Sequence, residues 1–381
     1  MIQTPGVFLT LLAFFLVIGP LVFVHEMGHY LAGRLFGIKA DAFAIGFGRE
    51  VAGFTDRRGT RWKFGWLPLG GYVKFAGDMN PAGQPDAAWL ALPAAERART
   101  FQAKPVWQRA IVVAAGPVVN FLLAMLILGG FALAYGDSRT PPTVGIVEPA
   151  SAAAAAGLRV GDRVTALGGR PIGTFEDMVS FVKIRAGERV RIDYVRGGTP
   201  LTGEALIATR TERDRFGNEY RFGRLGLGAG APVVVPIGLL DAPGVAIRRT
   251  GDIVSLMVET LGQVITGRRS VAELGGPLQI AKVSGEQMSL GLPAFAFLLA
   301  LVSINLGFIN LLPVPMLDGG HLLFYAIEAV RRRPLEPRVQ EWAFRGGLAA
   351  LLALMLLVTF NDLGSFGLWN ALGRNFAGLI G

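Results

Sequence analysis

Apolar positions along the chain gather into long continuous runs. Val7 to Val24, Val106 to Ala134 and Leu292 to Leu312 each approach or exceed the ~20 residues a helix needs to cross a bilayer, and Leu348 to Phe360 makes a shorter fourth run. The first run has no basic leader before it, its apolar face continues past His29 to Leu35, and no A-x-A site follows. It therefore reads as a retained span and not as a cleaved signal peptide. Between the runs the pattern changes. Ala40 to Phe75 alternates in short apolar stretches around Arg57-Arg58-Gly59-Thr60, which predicts a small antiparallel sheet close to the membrane. Asp78 to Lys104 is polar, with Ala and Pro, and predicts loop with a short helix. Thr143 to Arg210 reads as a compact α/β module. Ala242 to Thr266 has helical periodicity with charges on one side, as in a helix lying on a membrane surface or on that module. No repeat of solenoid length is present.

Composition agrees with this pattern. Of 381 residues, 52% are hydrophobic and only 17% are charged, against roughly 25% in ordinary soluble domains. The absence of cysteine removes disulfides, thiolate zinc sites, thiol nucleophiles and iron–sulfur clusters. Histidine chemistry is confined to His25, His29 and His321. The net charge of +9 calls for no nucleic-acid partner, because basic loops beside membrane spans account for it. Lys39, Arg49, Arg57, Arg58, Arg61, Lys63 and Lys74 follow the first run, and Arg331, Arg332, Arg333 and Arg338 lie between the third and fourth. The positive-inside rule puts both segments on the cytoplasmic side and the long stretch from Gly136 to Gly291 outside.

Two segments carry candidate chemistry. His25-Glu26-Met27-Gly28-His29 places two imidazoles one helical turn apart, where both can reach one ion, with a carboxylate between them to take a proton from water. Zinc is the default metal for such a pair. The bland reading is a polar helix end reaching the interface. Two of only three histidines fall at this spacing around a Glu, at the end of a membrane helix, where ionisable groups are expensive. A third ligand is needed, and Asn310-Leu311-Leu312-Pro313-Val314-Pro315-Met316-Leu317-Asp318-Gly319-Gly320-His321 is its source. Two prolines break the helix there, and Gly319-Gly320 are expected to loosen the backbone. Asp318 and His321 both qualify on ligand chemistry, and the ordinary alternative for Asp318 is a cap on the helix that follows.

Together with Gly70-Gly71-Tyr72-Val73-Lys74, Ala115-Gly116-Pro117, Asn120-Phe121 and Gly275-Gly276-Pro277, these segments resemble the site-2 protease family of intramembrane zinc metalloproteases, most closely its bacterial regulator-of-sigma-E protease branch. The resemblance implies that Asp318 is the third zinc ligand and that His321 stays outside the shell. It also implies that Asn305 and Asn310 stand beside the active site and help hold substrate; their ordinary alternative is an interhelical hydrogen bond. Val144-Gly145-Ile146-Val147, Pro149-Ala150-Ser151 and Ala156 to Val164 look like a PDZ domain of bacterial protease type, with Thr174 to Ile184 as its groove helix. That branch often carries two such modules in tandem. Only one is legible here, and Thr211 to Gly230 reads as a remnant or a strand pair.

The expected fold is a mainly α polytopic membrane protein, with about four transmembrane helices, a membrane-associated β-sheet and an extracytoplasmic PDZ domain. Its divisions are 1–36 (first span with the histidine motif), 37–105 (sheet and loop), 106–135 (second span), 136–210 (PDZ), 211–291 (linker and amphipathic helix), 292–330 (third span with the Pro/Asp/Gly motif) and 331–381 (cytoplasmic loop, fourth span and tail). The expected function is a Zn²⁺ endopeptidase of the bacterial inner membrane, with Glu26 as base and its active site towards the cytoplasm. By the resemblance, its substrates are single-pass membrane proteins: an anti-sigma factor already clipped by an upstream site-1-type protease, or remnant signal peptides, in regulated intramembrane proteolysis. An unwound substrate needs partners for its freed backbone groups, and Gly70-Gly71-Tyr72 is the sheet edge expected to supply them. A non-catalytic scaffold working through its PDZ is the competing class; it would have no use for Glu26.

Overall fold

The computed structural model describes residues 6–77, 92–213, 219–267, 275–333 and 335–365. Residues 78–91 of the loop with short helix expected over 78–104, and the tail after 365, lie outside the described residues. The chain forms two compact units, one of residues 1–128, 246–258 and 270–381 and the other of residues 129–245 and 259–269.

The chain begins with α1 (Val7–Leu35), a single helix through the whole first run and the histidine motif. Strands β1 (Ala40–Thr55) and β2 (Arg61–Phe75) follow. Asp56 makes the turn between them: its carboxylate accepts the backbone N–H groups of Arg58 at 2.8 Å and Thr60 at 2.9 Å. Both strands fold back on themselves. Residues 42–45 are flanked by 61–64 on one side and by 71–74 on the other. Among the described residues no further strand pairs with 71–75, which forms an edge. Next come the short α2 (Ala94–Arg97) and α3 (Val106–Tyr135), the second span.

The strand-rich unit contains β3 (Asp137–Arg139), β4 (Val144–Val147), α4 (Ala152–Ala155), β5 (Arg163–Leu167), β6 (Arg170–Pro171), α5 (Phe175–Lys183), β7 (Arg189–Arg196), β8 (Thr199–Leu206), β9 (Ala208–Arg213), β10 (Glu219–Arg224), β11 (Leu227–Ala229) and β12 (Val233–Val235). Its largest sheet has the order β6-β5-β7-β8, and β9 and β10 are a strand pair. Helix α5 occupies the span expected of a groove helix. Thr174 starts it with a capping box closed by Asp177. Alternation along β7 turns Val190, Ile192 and Tyr194 inward onto Leu167, Met178 and Ile207. Each such side chain contributes about 1.5–3 kcal/mol when fully buried. Asp162 lies in this core, fully buried, and accepts from the Arg159 backbone N–H at 2.7 Å and from Arg196 Nε and Nη2 at 2.7 and 2.8 Å. The Arg196 guanidinium holds its carboxyl below the usual carboxylate range.

The helical unit resumes with α6 (Ala242–Ile265), which contributes residues to both units, and continues with α7 (Pro277–Ser289), α8 (Leu292–Leu311), α9 (Asp318–Arg331) and α10 (Pro337–Ser365). Among the described residues four helices are long and apolar enough to cross a membrane: α1, α3, α8 and residues 338–363 of α10. The fourth is longer than its apolar core of Leu348 to Phe360, because polar turns precede that core within the same helix. Helix α7 is an element the hydropathy pattern does not single out. It packs on α1, α8 and α10, and Asp362 of α10 accepts the backbone N–H groups of Gly276 and Gln279 at its start. Tyr30, Ile38, Phe43, Phe75, Phe101, Val112 and Tyr325 form one core joining α1, the sheet, α3 and α9. Ala124, Leu128, Ala246, Ala300 and Ile304 form another.

Candidate metal centre

The site is built on α1 by helical spacing. His25 and His29, one turn apart, turn Nε2 atoms to within 3.2 Å of each other. Asp318, the first residue of α9, brings Oδ2 to 3.2 Å from His25 Nε2 and 3.5 Å from His29 Nε2. Asp318 Oδ2 is buried and has no hydrogen-bond partner. Tetrahedral zinc with bonds of about 2.0–2.1 Å sets its ligand atoms about 3.3 Å apart. The triangle of 3.2, 3.2 and 3.5 Å therefore fits one face of such a polyhedron. An orphaned carboxylate oxygen pointing at two imidazole nitrogens is the donor set that a divalent cation completes.

Helix α3 supports both rings. His29 Nδ1 donates to the Val112 carbonyl at 2.9 Å, which leaves Nε2 with its lone pair free to ligate. His25 Nδ1 meets the side chain of Asn120, fully buried, at 3.2 Å. A Cβ on Gly28 would overlap the Ala115 carbonyl, and a Cβ on Gly116 would overlap the His29 ring. Two small residues thus bring the helix backbones together at the level of the ligands. Ser303 of α8 donates to the Asn120 carbonyl at 2.8 Å and ties the third span to the same point.

The loop carrying Asp318 is held just as firmly. Gly319 and Gly320 were expected to loosen it. They instead form the first turn of α9 directly beneath the carbonyls of Leu311, Leu312 and Val314, where a Cβ would not fit. Met316, a bulky residue at φ +83°, holds a strained turn immediately before the ligand. Arg109 of α3 bonds Glu328 of α9 at 2.8 Å, with its guanidinium over the Tyr325 ring, and fixes the other end of that helix.

A cavity of about 290 Å³ opens beside the triad, lined by His25, Glu26, His29, Tyr72, Val73, Asn310, Met316, Asp318 and His321, among others. Glu26 reaches it from α1, and the Val73 backbone N–H faces the Glu26 carboxylate. Gly71 backs onto the same side chain: a Cβ there would stand 3.1 Å from Glu26 Cγ. Gly70 sits at φ +99° against the Phe47 ring, away from the cavity lining. Asn310 lines the cavity and Asn305 does not. Five residues along a helix turn the side chain about 140° away. His321 also lines the cavity, but its ring packs on Phe344 with centroids 5.0 Å apart, and the converging donor atoms are those of His25, His29 and Asp318. The residues that sequence reading left without a role are Val112, Gly116 and Asn120. Gly116 and Asn120, four residues apart in an otherwise apolar helix, were the available signal, whereas Val112 acts through its backbone carbonyl and leaves none.

This arrangement defines a helical membrane protein with a metal-dependent hydrolytic site. Residues 13–354 match Peptidase family M50, and the chain belongs to that family. It is 45% identical over 358 residues to a protein of Agrobacterium fabrum named as a zinc metalloprotease, covering 92% of this chain and 95% of that one. It is 34% identical over 395 residues to Metalloprotease MmpA of Caulobacter vibrioides, covering 97% and 99%. A PDZ domain of an SdrC-like protein from Listeria monocytogenes aligns with 23% of this chain and 84% of its own, at 19% identity and a TM-score of 0.19. The chain is a membrane metalloprotease, and its His25, His29 and Asp318 form a group close enough to bind a metal ion.

Proposed function

We propose that the protein is an intramembrane endopeptidase that cuts single-pass membrane substrates, with His25, His29 and Asp318 holding zinc and Glu26 as the general acid–base. One observation carries the reading: three ligand atoms converge beside a carboxylate and an unpaired sheet edge in a single cavity. Bound zinc supplies a Lewis acid that polarises a carbonyl and acidifies water. Glu26 takes the proton from the attacking water and returns it to the leaving amine. A spanning helix hides its peptide bonds in internal hydrogen bonds, so the substrate must unwind to react. The edge at 71–75, with Gly71 and Tyr72 at its start, pairs with the unwound backbone, while Asn310 offers its amide across the cavity.

Residues 136–210 form a PDZ module in this reading. It contains none of the proposed ligands, so it governs which substrates are admitted and not the bond-breaking step. The basic loops support an active site towards the cytoplasm with that module outside, in a bacterial inner membrane. Substrates would then arrive already shortened by an upstream protease, as a clipped anti-sigma factor or a remnant signal peptide would.

Glu26→Gln tests the mechanism. The amide packs like the carboxylate but takes no proton, so purified variant should keep its zinc and cut a single-span model substrate about 10²–10⁴-fold more slowly. Near-normal turnover would refute Glu26 as the base.

A further inference from the structure

Helices α1 and α3 meet in an antiparallel register in which each histidine has its own partner. His29 stands opposite Val112, and His25 opposite Asn120, two turns further along α3. The geometry points to Asn120 as a positioning residue for the metal centre: its side-chain Oδ1 accepts a hydrogen bond from His25 Nδ1–H, which fixes the ring and leaves Nε2 as the ligand atom.

Three observations converge on this. An imidazole that gives its Nε2 lone pair to a metal carries its proton on Nδ1, and that proton needs an acceptor. For His29 the acceptor is the Val112 carbonyl. For His25 the polar group in reach is the Asn120 amide, 3.2 Å away. That amide lies deep in an apolar span at 0% exposure, and its Oδ1 has no hydrogen-bond partner. A buried amide oxygen left unpaired costs free energy unless a donor meets it. A half-turn about the Cβ–Cγ bond sets Oδ1 where the amide nitrogen stands, facing Nδ1–H. The swap needs no movement of either helix, because the two amide ends have nearly the same shape. The Asn120 backbone is already fixed through its carbonyl by Ser303 of α8, so the side chain is aimed by two spans at once. This assignment rests on the reading of His25 as a zinc ligand.

The test compares wild type with Asn120→Leu and Asn120→Asp, each purified in detergent and loaded with zinc, then titrated with a competing chelator. Co²⁺-loaded samples are read in parallel by visible absorption. Leu keeps the volume and removes the acceptor. Asp keeps an acceptor and loses the amide donor. The expected result is zinc binding roughly 10–100-fold weaker in Asn120→Leu, with helical circular dichroism retained. Asn120→Asp should bind at least as tightly as wild type and keep the wild-type tetrahedral cobalt bands. Wild-type zinc affinity in Asn120→Leu would overturn the proposal. So would an Asn120→Asp variant as weak as the Leu one, since the amide would then act as donor. If Asn120→Leu fails to fold, the Asp variant decides by the same criterion. Zinc lost from wild type, Leu and Asp proteins alike would overturn the underlying metal-site reading instead.

Discussion

Asp162 in the strand-rich unit and Asp318 in the helical unit are both carboxylates withdrawn from water, yet they are satisfied in different ways. Asp162 receives three donors, two from Arg196 and one from the Arg159 backbone. Its charge is matched within its own domain, and nothing is left over for a ligand. Asp318 Oδ2 faces two imidazole nitrogens and no hydrogen-bond donor claims it. A complete polar cluster specifies a fold. An incomplete one, held rigidly by its neighbours, specifies something that must arrive from outside. The contrast teaches where to look for chemistry in this chain: not at the most charged group, but at the buried group whose partners have been placed and left open.

The sharpest way to break the contrast is to remove the open carboxylate. Asp318→Ala should lose zinc and reduce cleavage by more than the roughly 100-fold that loss of a supporting residue costs, whereas His321→Ala should keep its metal. Metal analysis of the two purified variants separates them, and a reversed pattern would make His321 the ligand. Next in size is Gly116→Ala. Its methyl group would press on the His29 ring, so zinc affinity should fall about 10–100-fold, readable by chelator competition, while Gly130→Ala in the same helix, where a Cβ meets nothing, should change little.

The smallest effect falls in the other unit. Asp162→Asn should cost roughly 2 kcal/mol of local stability there and leave zinc binding untouched. The sign with pH follows from a carboxyl held below its ordinary value in the folded state. Its contribution is fully present above the unfolded value of about 3.9 and is lost as pH falls through the lower folded value. The protection factors of the β5 and β7 amides in the intact protein, corrected for the intrinsic slowing of exchange in acid, should therefore fall in wild type on acidification below about pH 4. In Asp162→Asn they should start lower and respond less.

Much of this is legible in the sequence. Long apolar runs report spans directly, and the i, i+4 histidines announce a shared face. The hairpin was readable from Arg57-Arg58-Gly59-Thr60, although Asp56 makes its turn. Helix α7 was not readable, because Pro277–Ser289 mixes apolar, charged and small residues and its buried positions are Ser284 and Gly285. The choice between Asp318 and His321 also lay beyond local pattern, since it depends on which side chain turns back towards α1. Asn120 stood out as a polar residue in a span, but its partner lies 95 positions away, and no periodicity encodes the register of two antiparallel helices.

The contact of Gly28 with the Ala115–Gly116 backbone has a consequence for traffic. A chamber needs a wall that never opens and another that can. With no side chain between them, α1 and α3 pack backbone to backbone, and that seam leaves no room for a strand to pass. Under the proposed reading a polypeptide would instead reach the metal from the side of the Tyr72–Val73 strand and the turn at Met316, which line the cavity.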